Sequence, residues 1–154
     1  MLPVKKQKTN KFQKSRFFKN RCNCNITPLQ ISTMCVEAAQ YARNTLGLGH
    51  SEVTYEKVIE NYLYDKRIPT RRQVRFFEHV KNDIIQTGIL DLEVDRCILL
   101  ELKAGLTDIT QDNIIQLNRY MNSAEKNYTT RPLIGMIILF AKNGCVKIHK
   151  NIIK

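Results

Sequence analysis

The 154 residues are enough for one compact domain with a tail, and 43% hydrophobic residues let that domain bury a core. No apolar run reaches the length of a membrane span, and the N-terminus lacks the apolar stretch of a secretory signal. The net charge of +11 is unevenly spread, with the excess gathered at the N-terminus.

Residues 1–26 are polar, basic and without period, and are expected to be a disordered arm when unbound. Eight positive side chains, Lys5, Lys6, Lys8, Lys11, Lys14, Arg16, Lys19 and Arg21, lie in a stretch that has no Asp or Glu. Such an arm on a near-neutral body suits a polyanionic partner, nucleic acid above all, and these residues are the candidate phosphate contacts. A solubilising or targeting tail is the alternative. Cys22 and Cys24 also lie in the arm. With Cys35, Cys97 and Cys145 they form an odd, scattered set that suggests neither a disulfide framework nor a zinc site. A reducing intracellular compartment, cytoplasmic or nuclear, fits best.

The domain is expected over residues 27–154. Thr27-Pro28-Leu29-Gln30 combines a capping Thr, Pro at the first helical position and Gln three residues after the cap. Ile31, Met34, Cys35, Ala38 and Ala42 follow at helical spacing until Gly47 and Gly49 stop the helix. Ser51 caps a second helix with Tyr55, Val58, Ile59, Tyr62 and Leu63 inward, ending near Lys66. Glu56 and Glu60 read as surface charges on it. Val74, Phe76 and Val80 suggest a first strand, with Ile84-Ile85 at its turn. Ile89 to Val94 and Cys97 to Lys103 are two more strands, joined by Asp95-Arg96 as a hairpin. Helical period returns from Thr110 to Met121. Leu133 to Ala141 has the continuous apolar run of a central strand, and Asn143-Gly144 turns the chain into a last strand with Val146 and Ile148. The order α-α-β-β-β-α-β-β describes an α/β sandwich around a mixed sheet.

Three carboxylates and a lysine stand out. Asp91 sits between apolar residues in a strand, where an unpaired carboxylate is costly to bury. In Leu99-Leu100-Glu101-Leu102-Lys103, strand alternation puts Glu101 and Lys103 on one face. If the two strands pair through the short turn, Asp91 and Glu101 converge, and convergent carboxylates beside a Lys suit a hard divalent ion and an activated water. A cross-strand ion pair without catalysis is the other reading of the same residues. Glu52 lies on the inward stripe of the second helix, or serves only as a helix-end charge. Gln116 and Tyr120 share a face of the third helix.

Asp91 followed by Glu101-Leu102-Lys103 resembles the signature of the PD-(D/E)xK nucleases, and Gly49-His50-Ser51-Glu52-Val53-Thr54-Tyr55 resembles the name pattern of their GxxExxY branch. Leu90-Asp91-Leu92, Leu106-Thr107 and Gln116 to Tyr120 look like later blocks of that branch, so the resemblance runs over roughly residues 29 to 150. It implies a restriction-endonuclease-like core, a mixed β-sheet flanked by helices, that hydrolyses phosphodiester bonds, in DNA by preference. Asp91, Glu101 and Glu52 would hold Mg²⁺ or Mn²⁺. Lys103 would orient or deprotonate the attacking water, and burial beside a cation would disfavour its ammonium form. Gln116, with Gln111 as competitor, would support the site. Such nucleases often pair to cut two strands, which leaves a homodimer open. The second reading is a nucleic-acid-binding or packaging protein that keeps the fold without cleaving.

Overall fold

The computed structural model describes residues 26–126 and 133–153. The basic arm, its eight cationic side chains, Cys22 and Cys24 lie outside them; Ile26, expected as the last arm residue, packs against the core. The first helix, α1 (Pro28–Leu46), starts with the expected capping box at Thr27 and Gln30. The second, α2 (Glu52–Asp65), is capped by Ser51. Then come β1 (Thr70–Val80), β2 (Asp83–Val94), β3 (Ile98–Ala104), α3 (Gln111–Glu125), β4 (Leu133–Phe140) and β5 (Val146–Ile153). This is the order read from the sequence.

The strands form one sheet in the order β1-β2-β3-β4-β5. Only β3 and β4 run parallel, because α3 carries the chain across between them; the other pairs are antiparallel. Helices on both faces divide the core into two clusters. Ile31, Cys35 and Ala38 of α1 and Tyr55, Ile59 and Leu63 of α2 bury Leu92, Leu100, Leu102 and Ile138. On the other face Leu117, Tyr120 and Met121 of α3 bury Phe76, Leu90, Leu99 and Ile137. Every residue of β4 is buried, which explains its unbroken apolar run. Where α3 crosses β4, a Cβ on Gly135 would collide with Met121 and Leu117, so glycine permits the close approach.

Two expectations are corrected. Ile84 and Ile85 do not form the first turn; Lys81-Asn82 does, with Lys81 at φ 57°, and both isoleucines lie exposed within β2. A two-residue turn needs a positive φ, and the sequence offers no Gly there to announce it. Glu56 is no surface charge: it is 1% exposed and lies 2.6 Å from the Arg72 guanidinium, which Glu60 also approaches at 3.4 Å. A buried carboxylate needs such a partner, and β1 supplies it across the α2 interface.

Candidate functional site

Asp95 and Arg96, both at positive φ, close the β2–β3 hairpin as expected, but pairing lasts only three positions, ending at Leu92↔Leu100. The next pair would have been Asp91 and Glu101. There the strands part, and β3 would be left with N–H groups lacking a ladder partner. Carboxylates take them: Asp91 Oδ2 accepts the Leu102 N–H at 2.7 Å, and Glu52 Oε1, from the first turn of α2, accepts the Ala104 N–H at 3.2 Å. Two acids from different elements are thereby pinned on the open edge of β3.

Glu101 and Lys103 occupy the same face of β3, and Lys103 Nζ donates to Glu101 Oε1 at 3.0 Å. Glu101 is 3% exposed, and its other oxygen, Oε2, is buried without a hydrogen-bond partner. Burial, reinforced by the Asp91 charge, pushes the Glu101 carboxyl up to about 7. Burial also raises Asp91, with the Glu52 charge adding to it against the Leu102 bond. For Lys103 in the metal-free protein two influences compete. Burial works to lower its pKa, but Glu101, Glu52 and Asp91 together outweigh that and hold the ammonium form above its usual range.

On the α3 side, Gln116 Nε2 donates to the Tyr120 hydroxyl at 2.9 Å, and that hydroxyl donates to the Ile89 carbonyl at 3.1 Å. Tyr120 lies over Gly88, where a Cβ would strike the ring. Burial, and after it the charge of Glu101, raises the phenol pKa, so the tyrosine stands beside the acidic cluster. Gln111 is exposed in the first turn of α3. The structure therefore joins Gln116, not Gln111, to this side of the site.

The segment before α2 acquires a physical meaning. Gly49 has φ 81°, a backbone that disfavours a side chain. Ser51 caps the helix, Glu52 reaches β3, and Tyr55 donates its hydroxyl to the Gly47 carbonyl at 2.7 Å while stacking on Phe140 at 3.9 Å. His50, Ser51, Glu52, Ala104 and Lys142 line a cleft of about 570 Å³ that Glu52, alone of the acidic cluster, borders.

The sequence reading missed Gln73. It stands opposite Asp91 in the β1–β2 register, between the pairs Arg72↔Leu92 and Val74↔Leu90. Its φ is 51°, whereas Arg67, Lys81, Asp95 and Arg96, the other described non-glycine residues with positive φ, all lie in turns. Such a conformation inside a strand costs on the order of 1–3 kcal/mol. Facing switches at this point. Leu92 and Val94 pack under α1 and α2, but Leu90, two residues from Leu92, packs under α3. Nothing in a Gln between Arg72 and Val74 signals this. Glu56 did leave a signal: Glu52, Glu56, Ile59 and Leu63 share one helical face.

Among the described residues, no three His, Cys, Asp or Glu side chains stand as a ready-made metal cage. The chemistry of the donors nevertheless fits a hard cation. Mg²⁺ typically takes one or two carboxylates and keeps water or phosphate for its remaining positions. The unpartnered Glu101 Oε2, a Glu101 carboxyl raised by burial and by the Asp91 charge, and an Asp91 raised in part by the Glu52 charge mark a place short of positive charge.

A family model described as the PD-(D/E)XK nuclease superfamily matches residues 29–150. The chain belongs to that superfamily. The match covers both core clusters and all of the site just described, and the mixed sheet with its flanking helices is a restriction-endonuclease-like α/β fold. No curated protein and no solved structure matches the chain significantly. In this PD-(D/E)XK protein no described helix is long and apolar enough to cross a membrane.

Proposed function

We propose that this PD-(D/E)XK protein is a metal-dependent nuclease that hydrolyses phosphodiester bonds in DNA. The observation that carries the reading is the buried, unpartnered Glu101 Oε2 among Asp91, Glu52 and Lys103. A protein that only binds nucleic acid gains nothing from placing acids where phosphates must come, and leaving such an oxygen without a partner costs stability.

In this reading Asp91 and Glu101, with Glu52 directly or through water, hold Mg²⁺ or Mn²⁺. When bound, the ion supplies Lewis-acid polarisation of the phosphate and lowers the pKa of a water. The residues of the chain do the positioning. The Leu102 and Ala104 N–H groups fix the carboxylates of Asp91 and Glu52. Lys103, beside Glu101, would orient the attacking water or offer its charge to the oxygens of the phosphate as negative charge develops there. Gln116, through Tyr120, ties α3 to the strand that carries Asp91. The GxxExxY pattern around Glu52 agrees with this arrangement, because Gly49 and Tyr55 set the entry of α2.

The arm of residues 1–25, with its eight cationic side chains, would gather the polyanion through its backbone with little regard to sequence. The test is plasmid nicking with Mg²⁺ or Mn²⁺ beside a chelator control. Nicking that needs the ion supports the reading; cleavage undiminished by excess chelator, or no cleavage of any DNA or RNA form, overturns it. Deleting residues 1–25 should weaken DNA binding and flatten its dependence on salt.

A further inference from the structure

Gln73 is strained, central and unexplained by the fold alone. Its side-chain Nε2 donates to Glu56 Oε2 at 3.4 Å, and the amide, opposite Asp91 in the β1–β2 register, favours the charged form of the Asp91 carboxylate. An amide NH₂ has two hydrogens, so one group can serve both acids. Glu56 is itself fixed, because Arg72, the residue before Gln73, holds its other oxygen at 2.6 Å. The chain Arg72–Glu56–Gln73–Asp91 thus runs from α2 and β1 to the carboxylate at the point where β2 leaves β3.

The left-handed backbone at Gln73 has a consequence for this chain. Regular alternation would put residues 72 and 74 on one face and residue 73 on the other. Here Arg72 faces Glu56 of α2 while Val74 joins the cluster under α3. The twist occurs at the residue whose side chain meets Asp91. A residue chosen for the twist alone would be Gly or Asn, which adopt positive φ at least cost. Gln brings no such ease; what it brings is a long arm ending in two donors.

We infer that Gln73 is a positioning residue that holds the Asp91 carboxylate, through its amide and the Glu56–Arg72 pair, in the orientation needed to bind a divalent cation. This rests on the metal-dependent reading of the site given above. The Leu102 N–H fixes Asp91 Oδ2 from the β3 side, and Gln73 faces the carboxylate from the β1 side. Side chains that orient metal-binding carboxylates in this way typically contribute about 10–100-fold to metal affinity or activity.

Gln73→Gly separates the two roles of the residue. It relieves the backbone and deletes the amide. The full-length wild type and variant would be compared by thermal melting, by calorimetric titration with Mn²⁺, and by DNA nicking. The variant should melt within a few degrees of wild type or above it, while its Mn²⁺ affinity falls about 10-fold or more and kcat falls with KM for DNA little changed. A Gly variant with wild-type Mn²⁺ affinity and rate overturns the inference and leaves Gln73 with the twist alone. Should the Gly variant fail to fold, Gln73→Met decides. It keeps the length of the side chain but removes the donors and adds no charge. Weakened Mn²⁺ binding in a folded Q73M protein upholds the role; unchanged or tighter binding removes it. A wild type that takes up no Mn²⁺ and cuts nothing overturns the nuclease reading itself, whereas a normal wild type beside a normal Q73G overturns only the role of Gln73.

Discussion

Asp91 Oδ2 accepts the backbone N–H of Leu102 at 2.7 Å, just beyond Leu92↔Leu100, the last backbone pair of β2 and β3. The carboxylate thus replaces a ladder bond, and two substitutions separate its structural from its chemical part. Asp91→Asn keeps an oxygen for the Leu102 N–H and should fold as wild type, but it removes the charge and should abolish Mn²⁺ uptake and cleavage. Asp91→Ala leaves the N–H without a partner and should in addition lose about 1–3 kcal/mol of stability. Denaturant melts and a nicking assay check both; cleavage by the Asn variant would sink the assignment.

Glu101 makes the metal-free protein sensitive to pH. Its carboxyl, pushed up to about 7 by burial and by Asp91, binds its proton more tightly folded than unfolded. That stabilisation is full below the ordinary carboxylate range and is lost as pH rises through about 7. The size is on the order of 2–3 kcal/mol, with Asp91 and Glu56 acting in the same direction and Lys103 remaining charged. Melts of chelated protein between about pH 5 and pH 8 should show falling stability, and Glu101→Gln should remove most of the fall. Mn²⁺ affinity should run the other way, rising with pH as the proton leaves.

Three carboxylates hold Lys103 as ammonium in the metal-free protein, and substitutions separate a contribution through its charge from one through proton abstraction. Lys103→Ala should lower the cleavage rate roughly 10²-fold or more. Lys103→Arg should retain more activity than Ala, because it keeps the charge, yet stay below wild type, because a planar guanidinium engages Glu101 differently. Single-turnover rates for the three proteins provide the check. An Arg variant no better than Ala would favour a base role instead.

The Glu56–Arg72 pair should behave as a half-buried ion pair. Removing one member of a fully buried pair costs about 3–5 kcal/mol, and with Arg72 about one-third exposed, Arg72→Ala should cost about 2 kcal/mol. Adding Glu56→Gln to Arg72→Ala should recover part of that loss, since the stranded charge is gone. Urea melts of the single and double variants measure it, and an unchanged double variant would argue against the pair.

Gly135→Ala probes the contact between α3 and β4. The added methyl meets Met121 and Leu117 in a packed layer, and the loss should be about 1–3 kcal/mol. A melt unchanged from wild type would mean that α3 shifts at no cost.

Much of this architecture is carried by local chemistry. The Thr27 and Ser51 caps, the period of α1, and the apolar run of β4 each state an element in a few adjacent residues, and the structure places those elements accordingly. Glu101 and Lys103 share a face because a strand alternates, whatever surrounds it. Ile84 and Ile85 look like turn residues in the sequence because a turn with positive φ at Lys81 has no Gly to mark it.

Sequence by itself thus determined the element order and the family, and singled out Glu52, Asp91, Glu101 and Lys103 as candidates, since each of these readings depends on residue type and spacing along the chain. Tertiary structure alone decided which of these acids has a free oxygen, that Glu56 is buried on Arg72, and that Gln73 faces Asp91 across β1 and β2. Those are contacts between residues far apart in the chain. The charge state of Lys103 followed the same rule: burial alone would have lowered its pKa, and three acids brought together from α2, β2 and β3 raised it instead.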